Sequence, residues 1–440
     1  MLKEIINKYK IQLVLLGDIL SFYLSLLLML VIRYGGENTS EKFQIHLLPF
    51  TILLLIWIIV FYIIDLYSYT NINSTIENKN KLLTGTLINS LLSLGIFYIF
   101  GSFFSVTPRT NLFIFIVVFT IIDYLWRHFF SWFLKQKYNN HRILLISSSI
   151  LNDSIIEHIE KHPQLGYSIK KCSKEELIGN NINYNEYTTI VVDNKSFADP
   201  IILKNSYNLV SKNIEIISLT DFYEKLLFRI PLDEIKEEWF INEIKSKNYI
   251  NDNIKNIIDK LLAIISIIVF SPLLLIVVFL VKISSKGPSI YKQTRIGKNN
   301  KKFILYKFRT MHIDAEKDGA QWSGGKNDTR TTAIGQFLRN THIDELPQLF
   351  NIIKSDISFV GPRPERPEFV QILEKEIPHY LFRQMIRPGL TGWAQIKFRY
   401  ARSVMDSKEK FEYDLYYIKN RNIFIDLGII IRTIQIVFTY

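Results

Sequence analysis

Residues Thr341-His342-Ile343-Asp344-Glu345-Leu346-Pro347-Gln348 hold two adjacent carboxylates in basic surroundings. Arg330 and Arg339 precede the pair, and Lys354, Arg363, Arg366 and Arg387 follow it. An acidic pair amid positive charge suits a metal ion together with a phosphorylated substrate. Pro347 has no N–H to donate, so a helix is expected to start just before it. That puts Asp344 and Glu345 in or just before a first turn, where the helix dipole favours ionised carboxylates. An ordinary capping acid beside a helix start is the alternative for this segment taken alone.

Three further clusters flank the pair. Phe303-Ile304-Leu305-Tyr306 reads as a short strand, like Pro288-Ser289-Ile290-Tyr291 before it, and leads into Lys307-Phe308-Arg309-Thr310-Met311. Lys307 and Arg309 are two residues apart on a strand and so share a side, which suits the oxygens of a diphosphate. Downstream, Asp356 to Pro367 has three prolines and a glycine around Arg363 and Arg366, and Arg387-Pro388-Gly389-Leu390-Thr391-Gly392-Trp393-Ala394-Gln395 is a second rigid, basic turn. Stiff backbone holds a guanidinium at little entropic cost, as a phosphate clamp requires. A loop fixed only for folding is the alternative for each cluster separately. The stretch from Asp314 to Thr332 is rich in turn formers and reads as a mobile loop. Its Gly319…Gly324-Gly325-Lys326 is not a P-loop, because the lysine is one residue late and Asn327 replaces the required Ser or Thr.

The elements that must carry these residues are unusually apolar. The chain of 440 residues is 48% hydrophobic, with 31 Phe and 23 Tyr, which points to membrane segments. Four apolar runs lie near 11–32, 47–66, 85–104 and 112–134. Each approaches the ~20 residues a helix needs to cross a bilayer. Lys3, Lys8 and Lys10 precede the first run, Lys79 and Lys81 separate the second and third, and Arg127, Lys135, Lys137 and Arg142 close the fourth. The positive-inside bias therefore places both ends of this four-helix transmembrane bundle in the cytoplasm. Asp18, Asp65 and Asp123 are rare acids within or beside these runs and are expected to face protein or the interface. The first run lacks a small-residue cleavage site and reads as a span, not a signal peptide. The net charge of +12 fits a lipid surface and phosphorylated substrates, so no nucleic-acid partner is expected. A single cysteine, Cys172, excludes an internal disulfide framework and a cysteine-ligated zinc site.

From about residue 141 the pattern changes. Arg142–Ile146, Thr188–Val192 and Ile214–Ile217 read as strands, with helical stretches near 152–161 and 200–211, giving an α/β unit with a parallel sheet. A dinucleotide-binding turn would need glycines after the first strand, where this chain has Ser147-Ser148-Ser149. His158 and His162, spaced i, i+4, read as a solvated face. A fifth membrane-length run, Leu261 to Val281, has Ser271-Pro272 at its centre and lysines on both sides. A helix broken there that dips into one leaflet and returns is expected, with a kinked true span as the alternative. Ile423 to Tyr440 reads either as an amphipathic membrane-surface helix or as a short core helix.

The fifth apolar run, K-F-R-T-M, R-x-x-x-x-D-E-L-P-Q, G-P-R-P and R-P-G-x-T-G-W-A-Q occur in that order. As a set they resemble the bacterial sugar transferases, the polyprenyl-phosphate hexose-1-phosphate transferases. The four spans and Phe222-Tyr223-Glu224…Arg229-Ile230-Pro231-Leu232 resemble the large undecaprenyl-phosphate glucose or galactose branch. The resemblance implies a membrane α plus α/β chain: spans in 1–138, a Rossmann-like degenerate nucleotide domain in 139–245, and a monotopic phosphoglycosyl transferase domain in 246–440 with a re-entrant membrane helix at 257–283. It implies transfer of a sugar 1-phosphate from a UDP-sugar to undecaprenyl phosphate with release of UMP, at the cytoplasmic face of the bacterial inner membrane. Asp344 would be the nucleophile and Glu345 a ligand of Mg²⁺. Lys307, Arg309, Arg339, Arg363 and Arg387 would hold phosphate oxygens. The positive field would keep Asp344 ionised. A homo-oligomer is left open. Two other classes compete: a membrane-anchored nucleotide-sugar dehydratase, which needs the glycine-rich loop this chain lacks, and a non-catalytic scaffold of polysaccharide assembly, which would not need the acidic pair and cationic clusters together.

Overall fold

The computed structural model describes residues 10–36, 38–64, 66–67, 75–99, 109–137, 141–162, 165–172, 186–193, 196, 214–245, 252–312, 315, 330–398 and 403–438. Asp65, the helical stretch near 200–211 and the Gly319–Lys326 segment lie outside them. The chain divides into two compact units, residues 1–191 with 199–216, and residues 192–198 with 217–440.

The first unit opens with four helices, α1 (Lys10–Tyr34), α2 (Thr39–Ile63), α3 (Thr75–Ile99) and α4 (Arg109–Lys137), each containing a stretch long and apolar enough to cross a membrane. Lipid is as apolar as leucine, so packing and interhelical hydrogen bonds must hold such helices together. Both are present. Phe22, Phe50, Trp57, Phe115 and Phe119 form a buried aromatic core, with Phe22 and Phe115 edge-on at 4.7 Å between centroids. Gly17 lets α1 approach α4, where a Cβ would meet the Trp126 indole at 1.9 Å. Trp57 donates to Ser93 Oγ at 2.9 Å, and Asn111 reaches the Tyr34 hydroxyl at 3.1 Å. Arg127 pairs with Asp18, with Asp123 Oδ2 at 2.9 Å, and donates to the Leu66 carbonyl at 3.3 Å. Asp18 and Asp123 therefore face protein.

An α/β region follows. Strands β1 (His141–Ile146), β2 (Tyr167–Cys172), β3 (Thr189–Val192) and β4 (Glu215–Ser218), with helix α5 (Leu151–Lys161) after β1, form a four-stranded sheet in the order β2-β1-β3-β4, with β1 and β2 parallel. The serines after β1 serve their own turn: Ser147 Oγ accepts from the Ser149 N–H at 3.0 Å, and Ser149 Oγ from the Leu151 N–H at 3.2 Å. The His158 and His162 rings lie 4.3 Å apart, tilted by 30°, and His162 Nδ1 meets the His158 carbonyl at 2.8 Å, a helical-turn contact.

The second unit begins with α6 (Leu219–Leu227) and α7 (Glu237–Lys245). Helix α8 (Asp252–Ser284) follows, then the hairpin β5 (Ile290–Ile296) and β6 (Lys302–Phe308), α9 (Ala333–Asn340), a 3₁₀ turn over Ile343–Glu345, and α10 (Gln348–Ile353). The chain continues through β7 (Ser358–Val360), α11 (Pro367–Glu376), β8 (Gly389–Thr391), α12 (Trp393–Lys397), α13 (Val404–Asn420) and α14 (Ile423–Phe438). The break expected at Ser271-Pro272 is not present: helix α8 continues through both residues, because one lost backbone hydrogen bond does not end a helix, and Ser271 Oγ donates to the Ile268 carbonyl at 2.8 Å. Its first half is pinned by polar contacts. Ser358 Oγ donates to Asp259 at 2.6 Å, Lys255 pairs with Asp426, and Arg387 bonds Asn256 and the Asp252 carbonyl. Further along, Ala263 packs with Leu305, Leu349 and Ile352, and Val277 and Val281 pack with Phe308 and Leu338. In α14, Ile429 is buried in the core around Phe411 and Leu415 while Phe424 and Leu427 are exposed, so this helix has both a core face and an apolar outer face.

Residues 217–245, grouped in the sequence reading with the α/β domain, belong to the second compact unit. Arg229 pairs with Glu409, Lys419 bonds Glu224 at 2.8 Å and Glu243 at 3.2 Å, and Glu412 accepts from the Leu232 N–H at 3.2 Å.

Candidate active site

Antiparallel pairing of β5 with β6 sets Lys307 opposite Tyr291 and brings Arg309 to the end of the hairpin. Asn351 on α10 braces that strand. Its amide donates to the Ile304 carbonyl at 2.7 Å and its Oδ1 accepts from the Tyr306 N–H at 3.0 Å. The acidic pair sits in the 3₁₀ turn ahead of α10, with Pro347 at the helix N-cap and His342 in the left-handed region at φ 56° where the chain leaves α9. Glu345 Oε1 receives Lys307 Nζ at 2.6 Å and Arg363 Nη2 at 2.7 Å. No hydrogen bond or ion pair within the described residues holds the Asp344 carboxylate, although Asp344 is only 7% exposed.

The two acids therefore titrate differently. Burial alone would raise the Glu345 pKa, but Arg363 and Lys307 hold it well below the usual carboxylate range. Asp344 moves the other way. Burial raises its pKa, the negative Glu345 adds to that, and Lys307 offsets it only in part. The positive field expected to keep Asp344 ionised falls mainly on Glu345, and burial shifts Asp344 toward its protonated form. Burial also lowers the Lys307 ammonium, against the pull of Glu345.

Arg363 is placed by glycines. Parallel pairing of β7 with β8 sets the two rigid turns side by side. A Cβ on Gly361 would lie 2.4 Å from the Arg387 carbonyl oxygen, and one on Gly389 would lie 2.1 Å from the Gly361 nitrogen. Only bare backbone fits this contact. Arg383 then fixes the loop beyond it, donating to the Arg363 carbonyl at 3.0 Å, to Asp414 at 2.8 Å and to the Tyr380 hydroxyl at 2.6 Å. Glu365 lies among Lys410 at 2.7 Å, Arg383 at 3.6 Å and Arg295 at 3.9 Å. Those cations outweigh its burial and keep its carboxyl far below the usual range.

The remaining predicted cations diverge. Arg309 does not share a partner with Lys307: its Nη2 donates to the Ser285 carbonyl at 2.8 Å and to Ser285 Oγ at 2.9 Å, just past the end of α8. Arg339 Nε donates to Thr310 Oγ1 at 2.9 Å, because α9 is pressed onto the strand end where a Cβ on Gly335 would overlap the Thr310 carbonyl oxygen at 2.0 Å. Arg387 is not brought to the acidic pair; it ties down the first turn of α8. Sequence reasoning did not single out Ser285, Asn351, Glu365, Arg383 or Asp414. Their charge or polarity was visible, but their partners come from elements far away in the chain.

A buried acid without an ion pair, beside an acid saturated by two cations, is a set of groups suited to covalent chemistry on phosphorus. Residues 250–440 match the family described as bacterial sugar transferase. A UDP-glucose:undecaprenyl-phosphate glucose-1-phosphate transferase of Klebsiella pneumoniae is 31% identical over 435 residues, covering 93% of this chain and 92% of that protein. A galactosyl transferase CpsE of Streptococcus agalactiae is 29% identical, covering 87% of this chain and 92% of that protein. A UDP-N-acetylgalactosamine-undecaprenyl-phosphate N-acetylgalactosaminephosphotransferase of Aeromonas hydrophila is 40% identical over 227 residues, and there the match spans about half of each, 52% of this chain and 53% of the relative. The chain belongs to the bacterial sugar transferase family.

Proposed function

We propose that this protein transfers a hexose 1-phosphate from a UDP-sugar to undecaprenyl phosphate, releasing UMP and starting the assembly of an exopolysaccharide, capsule or O-antigen. The observation that carries this reading is the division within the acidic pair. Glu345 is neutralised by Lys307 and Arg363, whereas Asp344 is buried with no ion pair among the described residues. A desolvated carboxylate is a stronger nucleophile than a solvated one, and a covalent intermediate splits one difficult transfer into two. A carboxylate oxygen of Asp344 attacks the phosphorus bearing the sugar, the bond from that phosphorus to the bridging oxygen breaks, and UMP leaves with that oxygen. A phosphate oxygen of the lipid then attacks the same phosphorus and returns Asp344 as a free carboxylate. Lys307 and Arg363 stabilise charge on the phosphoryl oxygens.

The donor set fits Mg²⁺, which typically takes one or two carboxylates and completes its shell with substrate phosphates and water. Among the described residues no group of three His, Cys, Asp or Glu forms an all-protein metal cage, and Glu345 beside Asp344 is the oxygen pair present. Glu345 would hold the ion. When bound, it would neutralise the diphosphate.

The spans are read as a four-helix bundle in the bacterial inner membrane with both ends cytoplasmic, followed by the α/β region and the transferase domain. Helix α8 is read as re-entrant through a bend at Pro272 within a continuous helix, not through a break. Support comes from its packing, since residues from both its halves, Ala263 and Val281 among them, meet hydrophobic clusters of the second unit. A straight crossing would carry one half away from that unit to the far side of the bilayer. Labelling of cysteines introduced at 252 and 284 tests it: both react from the cytoplasmic side if α8 returns, and one from each side if it crosses.

UMP release by purified full-length protein, given undecaprenyl phosphate, Mg²⁺ and a panel of UDP-sugars, tests the activity. Release with at least one sugar is expected, and no release with any would overturn the reading.

A further inference from the structure

The cations around the acidic pair do not form one undivided phosphate clamp. Lys307 and Arg363 converge on Glu345, but Arg309 turns toward the end of the apolar helix α8. Its side chain is 7% exposed, and within the described residues Nε and Nη1 have no hydrogen-bond partner at all. A buried guanidinium with two unmet donors is costly unless something supplies acceptors. Ser285 Oγ accepts from Nη2 at 2.9 Å, which leaves the hydroxyl proton available to donate alongside the guanidinium. Apolar residues flank this polar cradle. Phe308, next to Arg309, packs with Val277, Val281 and Leu338, while the exposed faces of α8 and α9 carry Phe279 and Phe337, 66% and 61% exposed.

Unmet donors beside a greasy helix are complementary to a phosphate that has a hydrocarbon attached. A soluble nucleotide offers no tail for that surface. Resting on the transferase reading above, we propose that Arg309 and Ser285 form the acceptor subsite and bind the phosphate of undecaprenyl phosphate, while Lys307 and Arg363 serve the diphosphate of the nucleotide donor. Arg309 donates to an acceptor oxygen through Nε or Nη1, the donors its Ser285 contacts leave unmet, and another lipid phosphate oxygen attacks the phosphorus on Asp344. The new bond joins the lipid oxygen to that phosphorus, the bond to the Asp344 oxygen breaks, and its electron pair returns to the carboxylate.

The experiment is steady-state UMP release by the full-length protein in detergent or nanodiscs, varying undecaprenyl phosphate at saturating UDP-sugar and the reverse. For Arg309→Gln the KM for undecaprenyl phosphate is expected to rise tenfold or more, with the KM for the UDP-sugar within about twofold of wild type. Ser285→Ala should show the same pattern at roughly three- to tenfold, and Arg309→Lys an intermediate rise. A rise in the UDP-sugar KM equal to or above that for the lipid would return Arg309 to the donor site and overturn the inference; so would two unchanged KM values. Should Arg309→Gln fail to fold, by its melting temperature, Ser285→Ala decides by the same criteria. A wild type that releases no UMP sinks the transferase reading and this assignment with it, whereas an active wild type with an unsplit KM sinks the assignment alone.

Discussion

Two buried charge clusters in this molecule are built from the same groups and end in opposite deficits. Among the membrane-length helices, Arg127 uses Nε on Asp123, Nη2 on Asp18 and Nη1 on the Leu66 carbonyl, so its guanidinium is engaged at every nitrogen. Among the described residues, Asp18 Oδ1 and Asp123 Oδ1 are buried there with no hydrogen-bond donor. In the second unit, where Arg309 meets the end of α8, the surplus is donors: among the described residues its Nε and Nη1 are unmet. A cluster short of donors is closed to anions and holds helices together. A cluster short of acceptors stays ready for a ligand that is mostly oxygen. Between Arg127 and Arg309 the difference lies in the sign of the hydrogen-bond deficit, more than in the number of charges.

The largest test bears on the binding cluster. Asp344→Asn keeps the shape of the side chain and removes the nucleophile, and UMP release is expected to fall by at least about 10³-fold with the melting temperature little changed. Full turnover in that variant would sink the division of roles between the two acids. Removing Arg127 from the closed cluster should act on stability instead. Arg127→Met leaves two acids without their partner and is expected to cost about 3–5 kcal/mol, measured by unfolding in a fixed detergent. The further changes Asp18→Asn and Asp123→Asn should restore most of it, and a wild-type melting temperature for Arg127→Met alone would contradict a structural role.

Smaller effects sharpen the contrast. Gly361→Ala forces apart two backbones in contact and moves Arg363, so UMP release should drop by roughly 10- to 100-fold while the fold survives. Activity equal to wild type would mean that Arg363 does not need its present position. Glu412 supplies an intermediate case, an acid short of donors in the second unit. It keeps the Leu232 N–H at 3.2 Å, but Arg229 is engaged by Glu409 and stands 3.7 Å away. Burial outweighs Arg229 and lifts its pKa from 4.5 to about 7. Between those values the folded state holds a proton that the unfolded state releases, so stability is greatest below the lower value and is lost as pH rises through the upper one. A loss of order 1–3 kcal/mol from pH 5 to 8 is expected. Glu412→Gln should flatten the curve, and an unchanged slope in that variant would assign the dependence to other groups.

The sequence made the ingredients of the site readable but not their allocation. Lys307, Asp344, Glu345 and Arg363 stood out by type and spacing, and the structure joins them through Glu345. Arg387 looked equivalent to Arg363, since each sits beside proline and glycine. Its nearest acceptors are Asn256 and the Asp252 carbonyl, more than a hundred residues back, and no local pattern reveals that. Lys307 and Arg309 were expected to share a strand side, but β6 ends at Phe308 and the end of α8 captures Arg309. The long apolar helices were legible because length and hydropathy are local properties. The path of the chain at Pro272 was not, because one lost hydrogen bond does not fix whether a helix stops there. Nor was the association of residues 217–245 with the second unit, which depends on ion pairs to α13 across nearly two hundred residues.

Helix α8 has a consequence for how the second unit must be handled and measured. Its outward side presents Ile268, Leu275 and Phe279, all well exposed, along a helix of 33 residues. An apolar strip of that kind is covered by lipid or detergent or else by another chain. Whatever covers it binds the folded unit in preference to the unfolded one and stabilises it by mass action. The bilayer is then a reactant in the folding equilibrium, and chain length and packing of the surrounding amphiphile become variables of the same rank as temperature. Stabilities of variants in this region are comparable only when the amphiphile and its concentration are held constant.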